Sequence, residues 1–413
     1  MPAAYAVDCT DQSTHNTVGI TAPMEQTTTP PTLDERFDNL LISPLRVATM
    51  LGRRSPGEVS YEESEQNFAR RRLLQVEKVA IKNKRLAAQA EASFVDYISY
   101  ELHELILQDM QEQISDCAAL FSSTLNFNHQ VPVMLDILST RAASVSRLEP
   151  CVASMPWLYD ELMHIVNSPR FRKKDARGRV IVVESLRTAL SFIGIENLRI
   201  LLPSLLLKRA MPQITDPFPA IKVKLTQYAT GTGITARLLA SQYQCQPFAA
   251  YIAGMLANLG RCCVTKAYFK TFDYMHRHKL EEAQRLGQRD VHSALLKITP
   301  SANYLIAMQH EFSDALSANL FAHMDFQRLP VTPALQALNT PSASPAGPYQ
   351  PLSRLLQAAR CYTQIKMLHQ ARAAEAAEIK PRLRAQRFLP GALELLKSAD
   401  IFTLPLTVEA HIS

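Results

Sequence analysis

The chain has 413 residues, 47% of them hydrophobic and 20% charged, with only 12 Gly. That length allows two domains or one large core with extensions, and the balance is globular rather than fibrous or wholly unstructured. A net charge of +6 is too small to demand a nucleic-acid partner, and none is expected.

Seven Cys are scattered along the chain, with no CxxC pair, and Cys262 and Cys263 are adjacent. Reduced thiols and a cytoplasmic location follow. The first residues lack a basic segment followed by an apolar core, so no secretory leader is expected. No window reaches the ~18 uninterrupted apolar residues of a membrane span. The most apolar stretch, Ile195 to Leu207, is broken by Glu196, Asn197 and Arg199.

Residues 1–60 read as a disordered tail, rich in Thr, Pro, Ser and Gln to about residue 35. Within it Phe37, Leu40, Leu41 and Ile42 form a short apolar cluster. It docks on the main body or serves as a linear motif, and docking is the favoured reading. Residues 61–114 read as a helical extension. A long polar helix runs from Tyr61 to about Gln89, with Glu62, Glu63 and Glu65 at its dipole-favoured start. Arg70 to Arg72, Lys78, Lys82, Lys84 and Arg85 give it a solvated basic face; a two-helix coiled coil is the sharper alternative. A second helix runs from Ser93 to Glu112. Residues 115–336 form a dense helical domain, opening on an apolar helical piece from Asp116 to Phe127. Residues 337–351 are a Pro/Ser-rich linker. Residues 352–413 carry C-terminal helices, Leu352 to about Glu378 and Gly391 to Ser398, packed on the domain. The long Leu/Ala/Arg/Glu-rich stretches make the fold all-α.

Three segments within the dense region share a layout. In the first, Pro156 opens a helix at its N1 position and Asn167-Ser168-Pro169 ends it. In the second, Phe192-Ile-Gly-Ile-Glu-Asn-Leu-Arg199 closes one helix on Gly194 and starts another at once. The third is the apolar run Ala249 to Val264, which contains Gly254 and a Gly-basic step at Gly260-Arg261. In this order the segments resemble the HDOD (HD-related output) domain of bacterial signalling proteins, over roughly residues 115 to 335. Met155 and Tyr228 depart from the family pattern, which commonly has Asp and often His there.

The resemblance implies an all-helical bundle related to HD-type phosphohydrolases, usually with a regulatory or scaffolding role. Where the His-Asp metal pair of an HD enzyme would stand, this chain has Ala257 and Asn258. HD chemistry needs His and Asp ligands for a water-activating metal, and Tyr228, Ala257 and Asn258 cannot supply that shell. No catalytic residue, metal or cofactor is therefore expected.

Other candidates have simpler readings. His276-Arg-His278 could bind a metal, but i and i+2 do not face one another on a helix, so a solvated helix end is preferred. His164, His310 and His323 fit core or boundary positions. Thr230-Gly-Thr-Gly233 has no preceding strand and no Gly-Lys-Ser/Thr, so its small residues serve close helix packing. Cys262 and Cys263 read as buried small hydrophobes, and Trp157 as a core residue. The expectation is a non-catalytic signalling or adaptor protein acting through a protein partner. The alternatives are a nucleotide sensor using the ancestral pocket for a small nucleotide ligand, and a metal-dependent phosphohydrolase with displaced ligands.

Overall fold

Thr32 opens the first helix with a capping box. Its hydroxyl accepts from Glu35 N (3.2 Å) while the Glu35 carboxylate accepts from Thr32 N (2.7 Å). Helix α1 (Leu33–Ile42) follows, and Ser43 then caps α2 (Pro44–Met50), with Pro at the N1/N2 position. The computed structural model describes residues 30–53, 75–171, 180–339 and 350–407. The expected tail of residues 1–60 is thus corrected over residues 33–50, where capped helices pack on the protein. The reason lies in the apolar cluster: Phe37, Leu40, Leu41 and Ile42 are each at most 2% exposed. Full burial of side chains of this kind contributes about 2 kcal/mol each.

The two helices expected over residues 61–112 are one, α3 (Gln75–Ser115); its upstream part, residues 61–74, lies outside the described residues. Nothing between Gln89 and Ser93 breaks a helix: the intervening residues are Ala90, Glu91 and Ala92. The expected helical piece from Asp116 to Phe127 is a short α turn running into a π turn at Leu120–Thr124.

Then come α4 (Gln130–Ser139), α5 (Val145–Ala153), α6 (Pro156–Val166), α7 (Leu186–Ile193) and α8 (Ile195–Ala210). Gly194, at φ +79, lets α7 and α8 meet at 106°. The core helices are α9 (Ile221–Leu239), α10 (Pro247–Leu256), α11 (Leu259–Arg285) and α13 (Ala302–Met324), with α12 (Arg289–Leu295) between the last two. Helix α14 (Thr332–Asn339) runs into the expected linker, of which residues 340–349 lie outside the described residues. The C-terminal part holds α15 (Gln350–Gln370), α16 (Ala376–Gln386) and α17 (Ala392–Ser398). The expected helix from Leu352 to Glu378 is therefore two, parted by a turn in which Arg372 adopts φ +54. The fold is all-α, and the described residues form no β-strand.

Helix α9 packs on α10 and α15, α11 packs on α13 and α3, and α1 lies against α9, α13 and α15. The rod Pro247–Arg285 contains a window long and apolar enough to cross a membrane, but 89% of that window is buried inside the bundle, as in a core helix.

Candidate functional site

The Ala-Asn pair sits at the break between α10 and α11. Ala257 is the C-cap of α10 and Asn258 the N-cap of α11. Tyr228 on α9, Ala257 and Asn258 are 3%, 2% and 4% exposed, so all three are closed to solvent. The Asn258 amide donates back to Gly254 O (3.2 Å), and the Ala257 carbonyl accepts from Ser317 Oγ (2.8 Å) and Arg360 (3.4 Å). Arg360 also acts electrostatically on Tyr228, whose hydroxyl is pushed up by burial and stays neutral.

Helix α1 closes this site. The Phe37 ring meets the Tyr228 ring edge-on at 4.9 Å. Asp38, next in sequence, accepts from Arg261 (3.0 Å) and pairs with His310 Nε2 (2.7 Å). Arg261 also donates to Gln309 Oε1 (3.3 Å); Gln309 donates to Thr265 Oγ1 (2.8 Å), which donates to Arg261 O (2.7 Å). One helical turn beyond His310, Asp314 takes a bidentate pair from Arg360 at 2.8 and 3.0 Å. Burial works to raise the Asp38 carboxyl, but the His310 hydrogen bond and the charges of Arg261 and His310 outweigh it and hold it low. The Asp38 hydrogen bond raises the His310 imidazole, against partial burial. Arg36 anchors the same helix on the C-terminal part, donating to Ala373 O (3.1 Å) and pairing with Glu378 (2.8 Å).

These residues do not fit the metal that the HD resemblance implies. Ala257 has no donor atom, and Tyr228 is a neutral phenol. Asp38 and His310 are committed to each other and to Arg261. The guanidiniums of Arg261 and Arg360 border the same residues and oppose a cation. Among the described residues no group of three His, Cys, Asp or Glu side chains could hold a metal ion.

The motif residues act as scaffold. Pro156 stands at N1/N2 of α6 and Asn167 is that helix's C-cap. The Asn167 side chain clamps an approaching strand of backbone, donating to Val183 O (3.0 Å) and accepting from Val183 N (2.9 Å). Ser168 Oγ returns to Ile165 O (2.6 Å), and Pro169 follows outside the helix. A Cβ on Gly254 would lie 2.7 Å from Thr232 O, and one on Gly260 would lie 2.1 Å from Ser313 O. Both glycines therefore set helix contacts, of α10 with α9 and of α11 with α13. Thr230 to Gly233 lie buried within α9, where Gly233 faces Met255; they form no phosphate loop.

Two expectations are corrected here. His276 and His278 lie within α11 rather than at a helix end, and His276 binds Leu295 O (2.8 Å), joining α11 to α12. Trp157 is only half-buried, beneath Arg209 at 5.5 Å, because α6 is a peripheral helix. Burial pushes the Cys262 thiol up to about 12 and raises Cys263 as well, so neither is an activated nucleophile.

Sequence reasoning missed Asp38, Asp314, Gln309 and Arg360, and noted Arg261 and His310 without connecting them. Asp38 and His310 are 272 residues apart, and no local spacing rule joins residues so distant. The usable signal was Asp38 within the apolar run Phe37–Ile42, a carboxylate that would need a buried cation on docking.

The Asn-Ser-Pro helix stop, the Gly194 turn and the buried Ala257-Asn258 junction belong to one all-helical bundle. Residues 126–323 match the HDOD domain model. A crystal structure from Shewanella amazonensis SB2B, provisionally described as a metal-dependent phosphohydrolase, is similar at 16% identity and a TM-score of 0.39. The similarity covers 74% of this chain and 96% of that one. Comparison with curated proteins gives no match.

Proposed function

We propose that this is a non-catalytic signalling or adaptor protein of the bacterial cytoplasm, working through a protein partner. The observation that supports this reading is the packing of α1 on Tyr228 and Arg261, beside the positions where the HD resemblance would put a metal pair. Phe37 packs on Tyr228, and Asp38 neutralises Arg261 beside Ala257 and Asn258. The HDOD domain agrees with a regulatory role, and the scattered cysteines agree with a reducing compartment. The nucleotide-sensing reading needs α1 to leave, since the residues of the ancestral pocket are covered. A phosphohydrolase with displaced ligands needs a donor set that these residues lack.

The test has two parts. Purified protein reconstituted with Mn, Fe or Mg is expected to retain no stoichiometric metal and to hydrolyse no nucleotide or phosphodiester substrate. Cross-linking in the native cell is expected to return one protein in stoichiometric yield. Bound metal near one equivalent together with hydrolysis would overturn the reading. A thermal shift with nucleotides, lost when Arg261 is replaced, would favour the sensor.

A further inference from the structure

Helix α3 has two halves of different character. Its C-terminal half is seated on α11 and α12 through Ile98, Leu102, Ile106 and Met110, each at most 8% exposed. Its N-terminal half projects: every side chain from Lys82 to Phe94 is exposed. The span from Gln75 to Phe94 would reach about 30 Å at 1.5 Å per residue. A helix of that length without tertiary cover is marginal in water, so its exposed apolar side chains call for a partner surface. Val79 is 51% exposed and Leu86 54%.

The same face of α3 continues into a groove. At 100° per residue, Val79, Leu86, Ala90, Tyr97 and Glu104 fall on one side of the helix, with Lys82 and Glu101 at its flanks. Between α3, α11 and α12 lies an open groove of about 710 Å³, apolar in its floor and lined by Tyr97, Leu105, Leu286 and Val291. Tyr97 and Leu286 are 55% and 58% exposed. The groove also carries the carboxylates Glu101, Glu104 and Glu282 against one ammonium, Lys279, which is paired with Glu282. The projecting half of α3 carries Lys82, Lys84 and Arg85 against Glu91, which pairs with Lys297. One half of the helix is thus basic and apolar, and the other borders an acidic, apolar groove.

We propose that the occupant of this groove is the projecting half of α3 from a second copy of the chain, forming an antiparallel two-fold dimer. A two-fold axis makes the contact reciprocal, so one complementary surface suffices for both copies. Crossing the helices at Glu91–Ala92 sets Lys82 opposite Glu101, Leu86 opposite Tyr97 and Val79 opposite Glu104 and Leu105, each pair occurring twice. The crossing falls on Ala90, with Ala87 at its flank, and their small side chains allow close approach. This inference stands on α3 and the groove it forms with α11 and α12, and is independent of the proposed function.

The experiment is light scattering after size exclusion on the full chain at tens of micromolar, with sedimentation equilibrium for the dissociation constant. Native protein is expected at twice the 46.2 kDa of one chain. Leu86→Asp is expected to give the monomer. Lys82→Glu alone and Glu101→Lys alone should each weaken the dimer about tenfold, because reversal turns two attractive pairs into repulsive ones. The double variant Lys82→Glu/Glu101→Lys should restore it to within a few-fold of native. All three positions are exposed, so circular dichroism and the melting temperature of the variants at monomer concentrations should match native. A native monomer would overturn the proposal, as would a dimer indifferent to Leu86→Asp or a charge swap that fails to restore pairing. A native monomer that instead captures an unrelated protein through Leu86 would assign the groove to that partner and sink the second-copy reading.

Discussion

Asp38 is the residue on which the closed site turns, since its carboxylate is 6% exposed and faces Arg261 and His310. Asp38→Asn keeps the shape but leaves Arg261 without its counter-charge. We expect a loss of about 2 kcal/mol, the range for a hydrogen bond to a charged group, read as a lowered urea midpoint. The pH dependence has a definite sign. The folded pKa of His310 is raised, so its stabilisation is fully present below the unfolded value near 6.5 and is lost as pH rises through the folded value. The folded pKa of Asp38 is lowered, so its contribution is present above its unfolded value near 4 and is lost as pH falls through the folded one. Arg261 remains charged throughout, and Asp34 adds a further negative field at His310. The melting temperature of native protein should therefore exceed that of His310→Gln most clearly around pH 5.5 to 6.5, with the gap narrowing by pH 9. A gap of constant width across that range would mean that the imidazole contributes no charge to the latch.

Helix junctions rather than helix interiors specify the arrangement of elements. Two asparagines show the device: Asn167 clamps Val183 at the end of α6, and Asn197 on α8 clamps Thr407 of the C-terminal segment, donating to its carbonyl (2.7 Å) and accepting from its amide (2.9 Å). Asn167→Ala should cost about 2 kcal/mol by leaving the Val183 backbone groups without partners, measured as a drop in the denaturation midpoint. The glycines separate by mechanism. Gly194→Ala meets no atom within 4 Å, and its cost is the backbone strain of φ +79 and ψ 152, about 1 to 3 kcal/mol. Gly260→Ala would drive a methyl into Ser313 O at 2.1 Å and prise α11 from α13, costing about 3 kcal/mol or more. Unfolding midpoints that rank these two variants the other way would refute the packing account. Much of this level was legible in the sequence: Pro156, the Asn-Ser-Pro stop and the Gly194 turn are local signals, and each stands at a helix end. The continuity of α3 was missed because its polar middle, Gln89 to Ser93, lacks an apolar period although nothing in it breaks a helix. The docking of α1 was half legible, its apolar cluster visible but its ionic partners far away in the chain.

At the scale of the whole molecule, residues 33–50 join the core through Phe37, Leu40, Leu41 and Ile42. Helix α1 brings Phe37 against α9, Asp38 against α11 and α13, and Arg36 against α16 and the turn before it, so one short element ties the central bundle to the C-terminal helices. Phe37→Ala should therefore cost about 3 to 5 kcal/mol and speed amide hydrogen exchange in α1 before the bundle opens. The same arrangement decides whether HD-type ligands placed at Ala257 and Asn258 could hold a metal. Ala257→His with Asn258→Asp returns the pair of ligand types that an HD site requires, but both side chains would enter a space closed to solvent. Arg261 and Arg360 would remain beside them, able to neutralise the new carboxylate without a metal, and Tyr228 would still stand where a third ligand is needed. The double variant should thus take up far less than one equivalent of Mn or Fe on reconstitution, measured by elemental analysis after desalting. It should also be less stable than native protein, because a buried imidazole and carboxylate replace two satisfied small residues. Uptake of a full equivalent by the double variant would show that α1 and the two arginines do not obstruct the site, and would reduce the degeneration to Ala257 and Asn258 alone.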